Sequence, residues 1–362
     1  MNPTVSPTEK APAVDAAGRS PSPGGGRGRG AARLTAAVSF RNIGAVYVWV
    51  AIVVIFAVWA PSTFPTVTTV RQVLNENAST ALMALSVVIP LCARTFDLSV
   101  GYVASLTAVT SAYLVSHNVP VVVAVLVAMA AALVVGLINS AIVVLMGVDS
   151  FIATLATGSL MQAVITLITN DVAITAPQLA GPFSKIGQAD IGGITLPVVY
   201  VLVVAVVIWF VLQHTATGRR LYATGFNPES ARLAGVKTAK LRFSSLIVSA
   251  LLAGAAGVVL ASTLESGDPQ AGVPYLLSAY AAAFLGASQL RPGRFNAWGT
   301  MIAVLLLGTG TVGLGLITAP NWAPSMFTGV VLIAALGITG ANRRALRIGL
   351  GKRLRRTSTH PH

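Results

Sequence analysis

Residues 119–146 read VPVVVAVLVAMAAALVVGLINSAIVVLM, a run without a single charged side chain. A helix of about 20 apolar residues crosses the hydrocarbon core of a bilayer, so this run is long enough to span one. Similar runs lie on both sides of it. Toward the N-terminus they are Leu98–Val115, Ala78–Ala93 and Ile43–Ala60; toward the C-terminus they are Phe151–Ile168, Ile194–Leu212, Leu241–Ala261, Pro274–Ala287, Phe295–Ile317 and Trp322–Ile338. The sequence therefore predicts an all-α polytopic membrane protein of about ten transmembrane helices. Two of the runs are short for a full crossing and read as tilted, broken or re-entrant segments, which are tolerated where neighbouring protein shields the backbone.

Composition agrees. Only 9% of the 362 residues are charged and 55% are apolar, against about 25% charged in a soluble domain. So few charges cannot cover a water-facing surface. The net charge of +14 would suit nucleic acid if it formed one patch, but the basic residues sit between the apolar runs and at the two ends. With ten crossings and a cytoplasmic N-terminus, every Lys and Arg except Arg71 and Lys185 falls on the inner side. That asymmetry is the positive-inside rule, and Trp49, Trp59, Trp298 and Trp322 near the span ends form the expected aromatic belt. Both termini are thus expected in the cytoplasm, with no nucleic-acid partner.

Three regions follow. Residues 1–41 are rich in Pro, Gly, Ala, Ser and Arg, which reads as a disordered basic cytoplasmic tail. No apolar stretch opens the chain, so a conventional cleaved signal peptide is not expected. Residues 42–340 form the transmembrane domain, and residues 341–362 a second basic cytoplasmic tail.

The interior chemistry is neutral. Ionisable groups inside spans are costly and usually functional, yet only Asp97, in the break between the second and third runs, and Glu76, at a span end, come near the membrane. There is no carboxylate chain for a proton relay and no arginine array for voltage sensing. An external energy source and an uncharged solute fit this better than a self-sufficient secondary carrier, the rival class. Uncharged polar residues are plentiful: Asn139, Ser140, Thr154, Thr157, Ser159, Gln162, Thr166, Ser245 and Ser249. Taken singly, interhelical hydrogen bonding is their commoner role; collectively they can line a polar path.

Several motifs exclude other functions. Cys92 is the one cysteine, so no internal disulfide forms, and the histidines at 117, 214, 360 and 362 lack metal-ligand spacing. Gly308-Thr-Gly-Thr-Val-Gly313 matches a dinucleotide pattern, but it lies in an apolar helical run with no preceding strand; close helix approach is the better reading. No Gly-x4-Gly-Lys-Ser/Thr loop occurs, so ATP hydrolysis by that route needs a partner, and no pair of catalytic groups supports a membrane enzyme.

The longest polar connection, 213–241, falls on the cytoplasmic side. Within it Asn227 suits a helix N-cap, Pro228 the first helical position and Glu229 the positive helix end, while Gly235 suits the stop. A short rigid helix there, carrying Arg232 as well, is a suitable docking element for a soluble partner.

At this loop a family resemblance emerges. Ala223–Val236 resembles the cytoplasmic coupling loop of ribose-type (monosaccharide) ABC transporter permeases. Asp97-Leu-Ser-Val-Gly101, Gly136-Leu-Ile-Asn139 with Phe151-Ile-Ala-Thr-Leu-Ala-Thr157, Leu251-Leu-Ala-Gly254 with Gly257, and Leu285-Gly286 through Gly299-Thr300 resemble further family stretches in the same order. The chain departs where the family usually has glycines and carries Arg94-Thr95, where the family has a proline and it carries Asp149-Ser150, and at Arg291-Pro-Gly-Arg294.

The resemblance implies a type II-like ABC importer permease of the bacterial cytoplasmic membrane, surrounded by lipid. It implies a dimer with a second copy or a paralogue, cytoplasmic ATPase subunits that hold ATP and Mg, and an extracytoplasmic solute-binding protein. This chain itself binds no cofactor or metal in that reading. Gly225, Asn227, Pro228, Glu229, Arg232 and Gly235 are the candidates for coupling to the ATPase. Asn77, Asp97, Ser99, Asn139, Phe151, Thr154, Gln162 and Phe284 are the candidates for the translocation path. A monosaccharide is the expected solute; related permeases serve nucleosides, autoinducers and amino acids.

Overall fold

A computed structural model describes residues 40–290, 293–317, 319–320 and 322–334. Residues 1–39 of the expected N-terminal tail, the whole C-terminal tail and the end of the last expected span lie outside the described residues.

The chain opens with α1 (Phe40–Trp59) and a short α2 (Val67–Glu76), whose N-terminus is capped by Thr66 accepting from the Thr69 N–H at 3.2 Å. Asn77 separates α2 from α3 (Ala78–Cys92). After a break come α4 (Val100–Ser116) and α5 (Val121–Ser140), which continues as a π-helical turn over Ala141–Leu145. The Ser140 hydroxyl bonds the carbonyls of Gly136 and Phe243 at this junction, the side-chain competition that disturbs a regular helical ladder. Next is α6 (Ser150–Thr169), capped by Asp149.

A small cap of short elements follows: β1 (Ile174–Thr175), a 3₁₀ turn at Pro177–Ala180, α7 (Lys185–Gln188), and the hairpin of β2 (Asp190–Ile191) and β3 (Ile194–Thr195). Then come α8 (Leu196–His214), α9 (Ala216–Phe226), α10 (Pro228–Leu233) and the long α11 (Thr238–Leu264). Antiparallel β4 (Ser266–Gly267) pairs with β1 in the register Ile174 to Gly267. The last described helices are α12 (Val273–Gly286), α13 (Ala297–Leu316) and α14 (Ala323–Ala334).

Among the described residues five helices, α5 with its π turn, α6, α8, α11 and α13, are long and apolar enough to cross a membrane; five shorter apolar ones are Val46–Trp59 of α1, α3, α4, α12 and α14. Each expected run coincides with one of these. The connection 213–241 is more ordered than its polarity suggests, since it holds both α9 and α10.

The core is built around α3 and α11. Ala84, Leu85, Val87 and Val88 of α3 have no exposed surface, and α11 packs on α3, α4 and α5. By contrast Leu126 of α5, Leu160 of α6 and Leu202 of α8 project outward. A helix apolar on both its inner and outer faces has no place in water. The glycines of the 308–313 pattern are contact points: Gly308 receives the Asn77 amide, Gly310 the Phe327 ring and Gly313 the Phe56 ring, where a β-carbon would overlap each. Close approach, and not nucleotide binding, is therefore what these glycines serve.

Candidate functional site

The break between α3 and α4 organises the site. Pro90 sits in the last turn of α3, and Arg94 ends that helix in the left-handed region at φ 57°. The family resemblance places glycine near this position, and the backbone shows why: left-handed φ is costly for a residue with a β-carbon. Backbone groups freed by a break at membrane depth must find partners within the protein. Here three successive N–H groups each meet a hydroxyl: Phe96 donates to Ser150 Oγ (3.0 Å), Asp97 to the Tyr280 phenol (3.0 Å) and Leu98 to Thr154 Oγ1 (3.0 Å). Tyr280 returns its own proton to the Asp97 carbonyl at 2.9 Å.

A second chain of bonds runs through side chains. Thr157 donates to Asn139 Oδ1 (2.6 Å), Asn139 to Ser99 Oγ (2.8 Å), and Ser99 to Asp97 Oδ1 (2.6 Å), which also accepts the Ser99 N–H. Asp97, Ser99, Asn139 and Thr154 are all fully buried. Ser249 of α11 faces the same carboxyl, yet its Oγ and Asp97 Oδ2 have no hydrogen-bond partner in this conformation. The knot thus ties α4, α5, α6 and α12 to one seven-residue break, with α11 alongside.

The segment expected to couple to the ATPase touches the end of α3 and that break. Asn227 caps α10 by accepting the Ser230 N–H at 3.0 Å, and Pro228 occupies its first position. Gly235 stops it at φ 81°. Glu229 and Arg232 pair at 2.7 Å on the exposed face, roughly two-thirds exposed each, so the pair is worth little in stability. The Arg232 guanidinium holds the Glu229 carboxyl below the usual carboxylate range, through a hydrogen bond first and charge second. One turn earlier, Gly225 of α9 lies directly on the backbone carbonyl of Cys92 at the end of α3. Arg242 of α11 donates to Thr95 Oγ1 at 3.1 Å. Arg294 lies over the rings of Tyr222 and Phe226 at 5.3 and 5.4 Å, and Tyr222 donates to the Phe295 carbonyl at 2.7 Å.

The structure brings Asp97, Ser99, Asn139 and Thr154 into one cluster. Phe284 adjoins it through Tyr280, its ring stacked at 6.3 Å. Phe151 instead faces outward from α6, half exposed. Gln162 stands further along the same helix with its Oε1 buried and unpartnered, and Asn77 is tied to the Val73 carbonyl beside α13. Tyr280, Ser150 and Gly225's neighbour Cys92 carry roles that reading the sequence did not assign. Among the described residues no group of three or more His, Cys, Asp or Glu side chains is placed to hold a metal ion. The exposed capped helix thus follows directly on α9, whose Gly225 lies on the end of α3, the helix that leads into the buried polar hub.

Known proteins share this sequence pattern. The family described as branched-chain amino acid transport system, permease component, matches residues 69–336. The ribose import permease protein of Escherichia coli (strain K12) is 31% identical over 287 residues, 79% of this chain and 89% of the relative. The D-allose transport system permease protein of the same organism is 28% identical over 303 residues, 83% of this chain and 92% of the relative. The autoinducer 2 import system permease protein of Escherichia coli O157:H7 is 29% identical over 289 residues, 78% of this chain and 82% of the relative.

Proposed function

Because the chain belongs to the family of branched-chain amino acid transport system permease components, we propose that it is the membrane-spanning subunit of an ATP-binding-cassette importer for a small neutral polar solute, a ribose-type monosaccharide first. In this reading ten helices cross a bacterial cytoplasmic membrane in a type II-like arrangement, with both termini and α10 on the cytoplasmic side. ATP and Mg belong to separate ATPase subunits, a solute-binding protein delivers cargo from outside, and a second permease copy or paralogue completes the path.

One observation carries the mechanism: Gly225 rests on the Cys92 carbonyl. When ATP draws the ATPase subunits together, a push on α10 passes through α9 to the end of α3. Two residues beyond Arg94 the Asp97 knot begins, and its bonds move α4, α5, α6 and α12 as a unit. Two such packed arrangements, each favoured by a different ligand state, are what couple nucleotide to solute. Asp97, Ser99, Asn139 and Thr154 are sealed in this conformation, so their service as path residues requires the knot to open during the cycle.

Neutral hydroxyls and amides around a single carboxylate suit a sugar better than an amino acid, whose two charges would each call for an ionised partner. The names of the relatives favour sugars as well. The test is uptake of labelled ribose, allose, autoinducer 2 and leucine by cells with and without this chain. Loss of a sugar with leucine uptake retained is expected; loss of leucine alone would overturn the sugar assignment.

A further inference from the structure

A cavity of about 470 Å³ opens between α1, α2 and α13. Its walls are Val53 and Ala57 of α1, Val67, Val70 and Leu74 of α2, and Leu305 of α13. The hydroxyls that reach it are engaged elsewhere. Those of Thr66 and Thr69 both bond the Thr63 carbonyl, at 3.1 and 2.8 Å, and Thr309 accepts from the Trp49 indole at 2.9 Å. An apolar groove of this kind offers water and a sugar few hydrogen-bond partners. The groove adjoins the outward apolar face of α1, where Val50, Val54 and Val58 are exposed.

One charge stands at its rim. Arg71 follows Val67 by four residues and precedes Leu74 by three, so it shares their face of α2. Its side chain is exposed, and its guanidinium lies against Gly193 in the β2–β3 turn. Among the described residues the one ion pair is Glu229–Arg232, so Arg71 makes no direct pair with a carboxylate; the Asp190 carboxylate in the same turn accepts the Gly193 N–H at 2.8 Å. The α2 end of α3 is opposite the end that meets Gly225, which puts Arg71 at the level of the polar cap and of lipid headgroups. A fixed guanidinium fork matches a phosphate in geometry and charge.

We propose that this groove holds one acyl chain of an anionic membrane phospholipid whose phosphate pairs with Arg71. The site rests on the membrane reading above. It is distinct from the polar knot and from the coupling segment.

Bromine on an acyl chain quenches tryptophan on contact, which gives the test. Variants that keep only Trp49, in the groove wall, or only Trp59, about two-thirds exposed at the end of α1, are placed in vesicles of brominated phosphatidylglycerol or brominated phosphatidylcholine. Trp59 should be quenched by both lipids. Trp49 should be quenched with a preference of about fivefold for phosphatidylglycerol, the order expected for one arginine at a lipid surface, and Arg71→Gln should abolish that preference. Equal quenching of Trp49 by both lipids overturns the headgroup assignment. No quenching of Trp49 beside a quenched Trp59 overturns the lipid site and means that protein, such as a second copy, covers the groove. An unquenched Trp59 instead sinks the membrane reading itself. Should the tryptophan variants fail to fold, native mass spectrometry of the unmodified protein from phosphatidylglycerol vesicles replaces them. One retained lipid per protomer, lost in Arg71→Gln, is expected; no retained lipid, or equal retention by the variant, overturns the proposal.

Discussion

The phenolic oxygen of Tyr280 accepts the N–H of Asp97 at 3.0 Å and donates to its carbonyl at 2.9 Å, so one side chain on α12 satisfies both backbone groups at the centre of the α3–α4 break. Removing only that oxygen isolates its contribution. Tyr280→Phe keeps the ring that stacks on Phe96 and Phe284 but leaves two buried backbone groups unpaired. Stability in detergent should fall by about 1–3 kcal/mol, read as a lower thermal midpoint. An unchanged midpoint would show that the break is satisfied by other means.

Gly225 tests the mechanical link. An alanine there would drive its methyl group into the backbone carbonyl of Cys92, and a backbone atom cannot swing aside as a flexible side chain can. Gly225→Ala should therefore shift α9 off the end of α3. Expected is a drop in uptake of more than about tenfold, equivalent to about 1.4 kcal/mol of coupling, with basal ATPase activity of the assembled complex retained. Uptake at the normal level would remove this contact from the mechanism.

The exposed pair on α10 separates docking from folding. Glu229→Gln with Arg232→Gln removes a surface pair that adds little to stability, so membrane levels should stay normal. Solute-stimulated ATPase activity should fall while basal activity persists, as measured on the assembled complex. Arg232 lowers the Glu229 pKa in the folded state, so the small stabilisation is present above the ordinary carboxylate pKa. It is lost only as pH falls through the lowered one, well below neutrality. The double variant should accordingly behave alike at pH 6 and pH 8, both roughly clear of the carboxylate range.

Arg94 offers a gain. Its left-handed backbone at φ 57° costs about 1–2 kcal/mol in a residue with a β-carbon, and its side chain is exposed. Arg94→Gly should raise the thermal midpoint in detergent. A lowered midpoint would show that the guanidinium makes a contribution larger than the strain.

Much of this fold is legible in the amino-acid order because hydrocarbon imposes a length and a composition on each span. Val119–Met146 declares itself in that way, and so does the Asn227-Pro228 cap with its Gly235 stop, where each residue type answers a local backbone need. Helix α2 is not legible as a span: Val67, Val70 and Leu74 alternate with Thr68, Arg71 and Gln72, so its average polarity resembles a loop. The missing signal there is the helical spacing of its apolar face. Helix α9 hides in the same way behind Arg219 and Arg220. The hub around Asp97 is legible only in part. Asp97, Ser99, Asn139 and Thr154 stand out as polar residues in apolar runs, but that they meet one another depends on the packing of helices. Tyr280 joins Asp97 across 183 positions, a distance at which no periodicity in the sequence carries information. Cys92 meets Gly225 through its backbone carbonyl, a contact no side-chain reading reveals.

The most direct measurement is ATP-driven uptake in proteoliposomes that contain this chain, its ATPase subunits and its solute-binding protein, with ATP supplied to one face at a time. The account predicts sugar accumulation only when ATP is on the face that exposes α10, as reported by labelling a cysteine placed at Gly235. Accumulation by this chain alone under an ion gradient, with no need for nucleotide on either face, would contradict it.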